Sequence, residues 1–162
     1  MTLRIITTGG TFDKCYDPIT GQLSFAQSRI PPLLDTARLS TAAVVEHLMA
    51  IDSLHMGDEH RAAVLTACRA SPERQIVITH GTDTMVKTAA VIAQAALPAT
   101  IVLTGAMVPA SIEGSDAAFN LGFAIACAQT LTPGVWIAMN AEAHAWNRVR
   151  KNRSLGRFEP LG

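Results

Sequence analysis

The sequence predicts an α/β domain in which helices cover both faces of a doubly wound, mostly parallel sheet, giving three layers. The chain has 162 residues, which is about the size of one domain. Apolar residues make up 49% of it and charged residues 16%, enough material for a packed core. Short apolar runs alternate with segments of helical period, which is typical of parallel strands joined by right-handed crossovers. We therefore expect a single domain over residues 1–162.

The first half of the chain begins with a strand and a loop. Residues 3–8 (LRIITT) are a β-branched run that ends at a Gly-Gly pair, which predicts a buried strand. Residues 11–28 are polar and contain proline and glycine, which predicts a loop that can hold a hairpin around DPITG. Two prolines open a short helix near residues 32–38. Residues 43–51 (AVVEHLMAI) fit a strand or a helix, and we favour a strand at their start.

The middle of the chain alternates regularly between helix and strand. Residues 58–70 have helical spacing, with Asp58 as the expected N-cap. The clearest strand is QIVIT at 75–79. Helical spacing continues over 84–97 and is stopped by a proline, and ATIVLT at 99–104 predicts the next strand.

The last predicted pair is a helix capped by Ser115 and a fifth strand, VWIAM at 135–139. Residues 88–112 carry no charge, but they are rich in Ala and Thr and are divided by proline and glycine, which favours a buried helix and strand over a membrane span. The resulting order is that of a flavodoxin-like three-layer domain. One face of the last helix is expected to hold Phe119, Gly122, Phe123 and Ala126.

Charge and cysteine content limit the class of partner. Thirteen basic residues balance thirteen acidic ones, so no overall field favours nucleic acid or an anionic membrane, and we expect the partner to be a small molecule or another protein. Residues 147–162 are a basic run, which is typical of a solvated face, and an anion-binding or active-site role for one of its members is the alternative. Cys15, Cys68 and Cys127 fit no disulfide framework or paired metal motif, and the apolar start is too short for a signal peptide. We therefore expect a cytoplasmic protein.

Ligands of such sheets bind outside the carboxyl ends of the strands. Hydroxyls, carboxylates and glycines gather at these ends, although the chain as a whole is poor in charge. Glycines there allow tight turns whose N–H groups point at a ligand oxygen. In strand order the residues are Gly9-Gly10-Thr11, Asp52-Ser53, His80-Gly81-Thr82-Asp83, Gly105-Ala106 and Asn140.

Four stretches resemble the bacterial-type L-asparaginases, threonine amidohydrolases that convert asparagine, and often glutamine, to the acid and ammonia. They are TTGGTFDK at 7–14, VITHGTDTM at 77–85, LTGAM at 103–107 and SDAAFNL at 115–121. The resemblance covers nearly the whole chain in the right order. It implies the fold of the family's N-terminal domain, asparagine as the small-molecule amide substrate, and no cofactor.

The resemblance also implies roles for individual residues. Thr11 matches the family's nucleophile, and Thr82 with Asp83 match its second threonine and aspartate. Ser53, next to Asp52, matches the serine that binds the substrate carboxylate. The remaining matches are the Ala106 carbonyl with a group that holds the substrate amide, Lys151 with the triad lysine, and Tyr16, the single tyrosine, with the mobile-loop tyrosine.

Two departures from the family concern the substrate's α-amine. Family members of ordinary length have a second domain that supplies a carboxylate for this amine, and the sequence ends before it. Leu54 stands where many relatives have glutamine, which leaves Asp83 as the obvious amine ligand and Glu142 as a further candidate. We expect a homodimer or a dimer of dimers to cover the open site.

A threonine hydroxyl needs a base within hydrogen-bond reach. Tyr16 can relay the proton, or Thr82 can do so if Lys151 loses its charge while Asp83 orients it, and the residues alone leave both routes open. Backbone N–H groups at Gly10 and Gly81 can stabilise the oxyanion. Two further readings remain: a glutaminase or other small-amide hydrolase, and a non-catalytic amino-acid-binding domain. We expect no metal, since the spacing of His55, Asp58, Glu59 and His60 matches no ligand motif.

Overall fold

A computed structural model describes residues 2–162, which form ten strands and four α-helices. Short 3-10 turns lie at Thr11–Asp13, Ser53–His55 and Trp146–Arg148. The longer elements, in chain order, are β1 (Thr2–Gly9), β2 (Lys14–Asp17), β3 (Gln22–Phe25), α1 (Ile30–Ala37), β4 (Ala42–Ile51), α2 (Asp58–Ala70), β5 (Gln75–Thr79), α3 (Met85–Ala93), β6 (Thr100–Thr104), α4 (Ala117–Thr130), β7 (Gly134–Met139), β8 (Glu142–Ala145), β9 (Val149–Asn152) and β10 (Arg157–Pro160).

Six strands make the central sheet in the order β4-β1-β5-β6-β7-β8. The first five are parallel, and β8 pairs antiparallel with β7. The prediction of a doubly wound, mostly parallel sheet is confirmed. Because β4 and β5 flank β1 on opposite sides, the winding direction reverses at β1. A ligand crevice is therefore expected where the carboxyl ends of β1 and β5 meet.

Helices bury apolar side chains on both faces of the sheet. On one face, α2 and α3 cover Ile6, Ile78 and Leu103. On the other face, α1 and α4 cover Leu3 and Val77. The inner strands β1, β5 and β6 are buried on both sides, which is why they are mostly continuous apolar runs rather than alternating ones.

Two predicted helix ends differ from the structure. Gly57 is the N-cap of α2, and Asp58 is its first helical residue. Here the His60 imidazole accepts a hydrogen bond from the Gly57 N–H at 3.0 Å, so a later side chain does the capping. Helix α3 ends at Ala93, before the proline expected to stop it, because Ala96 already has a left-handed φ of 46°.

Helix α4 begins near the predicted cap and turns a different face to the core. The Ser115 hydroxyl accepts a hydrogen bond from the Ala117 N–H at 3.0 Å. The side chains expected to share one face do so, but this face points outward, with Phe119 60% exposed. The buried face contains Asn120, Leu121, Ala124, Ile125 and Ala128.

Residues 43–51 belong to one strand throughout, and the hairpin around DPITG forms from β2 and β3. Strands β8, β9 and β10 were not predicted. The turn into β8 is formed by Asn140 and Ala141, with φ of 53° and 66°, where Asn-Gly would have been the recognisable signal. Strands β9 and β10 each contain a single buried residue, Val149 and Phe158, and the charged residues beside it obscure the alternating pattern of a strand.

None of the helices within residues 2–162 combines the length and the apolar character needed to cross a membrane.

Candidate active site

Two glycine turns meet at the ends of β1 and β5. Gly9 and Gly10 have φ of 98° and 70°, a region that side-chain-bearing residues rarely adopt. A Cβ atom on Gly10 would lie 2.4 Å from the backbone N of Gly81. Glycine is therefore required at position 10 by both conformation and space, and the turns that carry Thr11 and Thr82 are in direct contact.

Thr11 follows the first turn and is half-buried. Its neighbours fix it on the sheet, because Phe12 is fully buried and the Asp13 carboxylate is 4% exposed. Asp13 accepts hydrogen bonds from the Ser28 hydroxyl and the Arg29 N–H at 2.9 and 3.2 Å, which ties the turn to the start of α1. Burial raises the pKa of Asp13. Within residues 2–162 no hydrogen bond occupies the Thr11 hydroxyl, which is free to meet a ligand.

Thr82, Asp83 and Lys151 form one hydrogen-bonded cluster. The Lys151 ammonium donates to the Thr82 hydroxyl at 2.7 Å and to the Asp83 carboxylate at 2.9 Å. Lys151 lies 69 residues from Thr82 in the sequence. The guanidinium of Arg153 also approaches Asp83, with its Nε 3.4 Å from the carboxylate. Asp83 therefore faces two cations.

The β9–β10 hairpin separates Lys151 from the other basic residues of its run. Successive side chains of a strand point to opposite faces, so Val149 and Lys151 turn inward and Arg150 outward. The Lys151 side chain is 15% exposed, against 68% for Arg150, which pairs with Glu159. The solvated face expected for this run thus includes Arg150 but not Lys151.

Ser53 lies in the 3-10 turn after β4 and is 1% exposed. A Cβ atom on Gly81 would be 2.6 Å from the Ser53 Oγ, so this turn packs directly on the one that carries Thr82. The neighbouring Asp52 carboxylate accepts a hydrogen bond from the Lys14 ammonium at 2.6 Å and one from the Leu54 N–H at 3.0 Å. The bond from Lys14 holds the pKa of Asp52 below its usual value. Lys14 therefore links the Thr11 hairpin to the Ser53 turn.

The turn after β6 completes this rim of the sheet. A Cβ atom on Gly105 would lie 2.5 Å from the His80 carbonyl, so this turn also touches the one after β5. The Asn120 amide donates to the Gly105 carbonyl at 3.0 Å, and the Asp116 carboxylate accepts from the Met107 N–H at 3.0 Å. These two side chains of the α4 region hold the turn in place. Ala106, the candidate for holding a substrate amide, is 1% exposed.

His80 is a packed histidine at the end of β5, with 0% exposure. Its Nδ1 lies 2.7 Å from the Gly81 carbonyl, and its Nε2 lies 2.7 Å from the Thr88 hydroxyl. A carbonyl only accepts hydrogen bonds, so Nδ1 carries the proton and Nε2 accepts from Thr88. Burial lowers the pKa of His80 to about 4 from its ordinary 6.5. The neutral ring thus holds the Gly81-Thr82 turn.

We expect His80 to make folding stability depend on pH. Between pH 6.5 and 4 the unfolded chain binds a proton at this position and the folded chain does not, so stability rises with pH. The contribution is complete above pH 6.5 and is lost as the pH falls toward 4. Urea unfolding should show that moving from pH 7.5 to about 4.5 costs the natural protein about 2.5 kcal/mol more than it costs His80→Gln. The same pH dependence in both proteins would contradict this assignment.

The structure brings most of the predicted site residues together, at turns that touch one another. Tyr16 and Glu142 are the exceptions. Tyr16 lies on β2 and is 61% exposed. The Glu142 side chain is 62% exposed and pairs with His144 on the same strand. The residues gathered at the rim are Gly10, Thr11, Asp52, Ser53, Gly81, Thr82, Asp83, Ala106 and Lys151.

Sequence reasoning did not single out the supporting side chains of this rim. The signal for two of them was present, because Asp116 and Asn120 are one helical turn apart within SDAAFNL and their side chains hydrogen-bond at 2.8 Å. Lys14 gave no signal, since it is an ordinary polar residue until the fold places it beside Asp52.

Comparison with known proteins adds to this geometry. An L-asparaginase of Thermococcus kodakarensis is 29% identical over 161 residues, which cover 96% of this chain and 49% of that protein. A glutamyl-tRNA(Gln) amidotransferase subunit from Methanococcus vannielii is 32% identical over 171 residues, which cover 94% of this chain and 39% of that protein. The solved structure of the thermostable L-asparaginase from T. kodakarensis has a TM-score of 0.89 and 28% identity, covering 99% of this chain and 51% of that one.

The chain therefore spans about half the length of these relatives, or less. Residues 2–158 match the family model described as "Asparaginase, N-terminal". This match, the shared fold and the order of the glycine turns agree: the chain belongs to the asparaginase family and has the fold of its N-terminal domain.

Proposed function

We propose that this domain is an amidohydrolase that converts L-asparagine to L-aspartate and ammonia through an acyl-threonine intermediate on Thr11. One observation carries the proposal. The Lys151 ammonium contacts the Thr82 hydroxyl and the Asp83 carboxylate on a turn that touches the turn of Thr11. Outside the carboxyl ends of parallel strands, such a cluster of a hydroxyl, a carboxylate and an amine is suited to moving protons.

The reaction proceeds in two halves. In the first, the Thr11 oxygen attacks the amide carbon, its proton is transferred to the leaving nitrogen, and ammonia departs as the C–N bond breaks. In the second, water attacks the resulting ester, releases aspartate and returns a proton to Thr11. N–H groups of the glycine turns stabilise the oxyanion in both halves, an effect worth about 3 kcal/mol per donor.

The geometry favours Thr82 over Tyr16 as the proton relay. In its amine form, Lys151 Nζ can accept the Thr82 proton across the 2.7 Å contact, and Asp83 keeps Nζ in place. The Tyr16 side chain, on β2, is 61% exposed and would first have to move from the surface to the Thr11 hydroxyl. Tyr16→Phe, compared with Lys151→Met, separates the two routes.

The proposed substrate is held by groups from three turns. Ser53 takes the α-carboxylate, the carbonyl of Ala106 takes the side-chain amide, and Asp83 takes the α-ammonium. Asp83 is already paired with two cations, so the ammonium must compete with Arg153 for it. We therefore expect asparagine to bind weakly, with a KM higher than that of a site in which the carboxylate is free for the substrate ammonium.

A different small amide is the second candidate substrate. The two cations that already surround Asp83 favour it, and so does the relative from M. vannielii, whose name is that of an amidotransferase subunit rather than an asparaginase.

A second copy of the chain is the proposed cover for the site. Light scattering tests this part, and a monomer that stays fully active on dilution would refute it.

An ammonia-release assay with asparagine and glutamine tests the proposal. We expect turnover with asparagine at millimolar concentrations and slower turnover with glutamine. Faster release from glutamine would transfer the assignment to a glutaminase. Calorimetric binding of L-aspartate without ammonia release from either amide would instead identify a non-catalytic binding domain.

A further inference from the structure

Arg61 is a buried cation on α2. It is 7% exposed, although arginine is rarely buried without an anionic partner. Within residues 2–162 its guanidinium forms no salt bridge, whereas that of Arg4, with a side chain only 16% exposed, pairs with Glu46 and Glu73. The positive charge of Arg61 is therefore not neutralised by the described part of the chain.

The guanidinium instead supports the turn that carries Ser53. Its Nη1 donates to the Met56 carbonyl at 2.8 Å, and its Nη2 donates to the Thr84 hydroxyl at 3.2 Å. The Thr84 hydroxyl in turn donates to the Ser53 carbonyl at 2.8 Å. Arg61 thus contacts one end of the turn directly and the other through one hydroxyl. Its Nε is buried and has no hydrogen-bond partner in the described chain.

Carbonyl and hydroxyl dipoles stabilise a buried guanidinium only in part, because the net charge remains. An anion bound beside the turn would complete the compensation. The rim next to Ser53 is such a place, since Ser53 packs on Gly81 at the point where the site turns meet. The Coulombic attraction between the guanidinium and such an anion is stronger in a buried site than in water.

We propose that Arg61 sets the preference of this site for substrates that carry an α-carboxylate, by stabilising that carboxylate from beneath the Ser53 turn. This inference rests on the proposed function and names the residue that selects its substrate class. Arg61 acts through Thr84 and the turn, so it is a positioning residue rather than one that touches the reacting atoms.

Two substrates and two matched variants test the proposal. Asparagine carries the carboxylate, and 3-aminopropanamide has the same amine and amide without it. In Arg61→Met we expect the KM for asparagine and the Kd for L-aspartate to rise about tenfold or more, with kcat changed less than about threefold. The KM for 3-aminopropanamide should be unchanged. In Arg61→Lys, which keeps the charge, the KM for asparagine should rise less than in Arg61→Met. In Arg69→Met, on the exposed side of the same helix, neither this KM nor the Kd for L-aspartate should change.

An equal rise in KM for both amides would mean that Arg61 only maintains the structure of the turn, and this result would overturn the proposal. An unchanged Kd for L-aspartate would also overturn it. Circular dichroism and thermal unfolding establish that the variants fold. Should Arg61→Met fail to fold, Arg61→Gln removes the charge while its amide can still donate a hydrogen bond to the Met56 carbonyl or the Thr84 hydroxyl. It should then raise the KM for asparagine alone, and an equal effect on both amides overturns the proposal here too.

The proposed function and this inference fail in different ways. A natural protein that releases no ammonia, but whose L-aspartate binding weakens in Arg61→Met, contradicts the function and supports the inference. A protein that hydrolyses asparagine with the same KM in Arg61→Met supports the function and contradicts the inference.

Discussion

Thr11→Ala is expected to lower kcat by about four orders of magnitude or more while the protein stays folded. The alanine lacks the hydroxyl that we propose forms the acyl bond, and loss of a nucleophile leaves only the residual effect of binding and oxyanion stabilisation. Thr11 is half-buried, and its hydroxyl takes part in no hydrogen bond within residues 2–162, so its removal opens no cavity and orphans no partner. Ammonia release and thermal unfolding measure the two parts of this expectation.

Thr66→Ala is the matched control, because it removes the same atoms from an exposed threonine of α2 and should leave kcat unchanged. Thr11→Ser should retain part of the activity. Mass spectrometry of the acid-quenched natural enzyme should locate the acyl group on Thr11. An adduct on Thr82 would reverse the roles that we assign to the two threonines.

Lys151→Met is expected to lower kcat by two to four orders of magnitude, which is the contribution typical of a general base. Methionine keeps most of the side-chain volume but cannot accept the Thr82 proton or pair with Asp83. The KM should change less than kcat, because Lys151 does not contact the proposed carboxylate site at Ser53 and its removal leaves Asp83 with one cation fewer to compete with the substrate ammonium. Steady-state kinetics with asparagine measures both constants.

Arg150→Met is the control for Lys151→Met, because Arg150 is the adjacent residue of β9 and its side chain is 68% exposed. Arg157→Ala, also exposed, is a second control. Arg153 is unsuitable, although composition would class it with them, because its guanidinium approaches Asp83. Equal losses in Lys151→Met and Arg150→Met would show that only the general charge of the run matters.

The sequence was most informative where hydrophobic burial alone decides the structure. The runs that became β1, β5, β6 and β7 consist mainly of apolar and β-branched residues, and runs of this length and composition are typical of buried strands. The glycine turns could also be located, because a Gly-Gly or Gly-Thr pair directly after such a strand must lie at the carboxyl edge of the sheet. Thr11, Thr82 and Ser53 followed from that placement together with the family resemblance.

The parts that could not be predicted depend on contacts between distant residues. Nothing local distinguishes Arg61 from the exposed Arg69 on the same helix, and only the packing of α2 against the Ser53 turn buries one of them. The same holds for Lys14, whose partner Asp52 lies 38 residues away. Strands β9 and β10 were missed because their period-two pattern is carried by only two apolar residues among basic ones.

The separation of 69 residues between Thr82 and Lys151 has a consequence for how the protein would acquire the proposed activity during synthesis. The turns after β1 and β5 can dock once the first half of the chain has emerged from the ribosome. The lysine arrives only with the β9–β10 hairpin, which joins no strand of the central sheet. A nascent chain can therefore hold a largely formed sheet and remain inactive. If the proposed function is correct, the recovery of ammonia release after dilution from denaturant should accordingly report the docking of this hairpin rather than the collapse of the core.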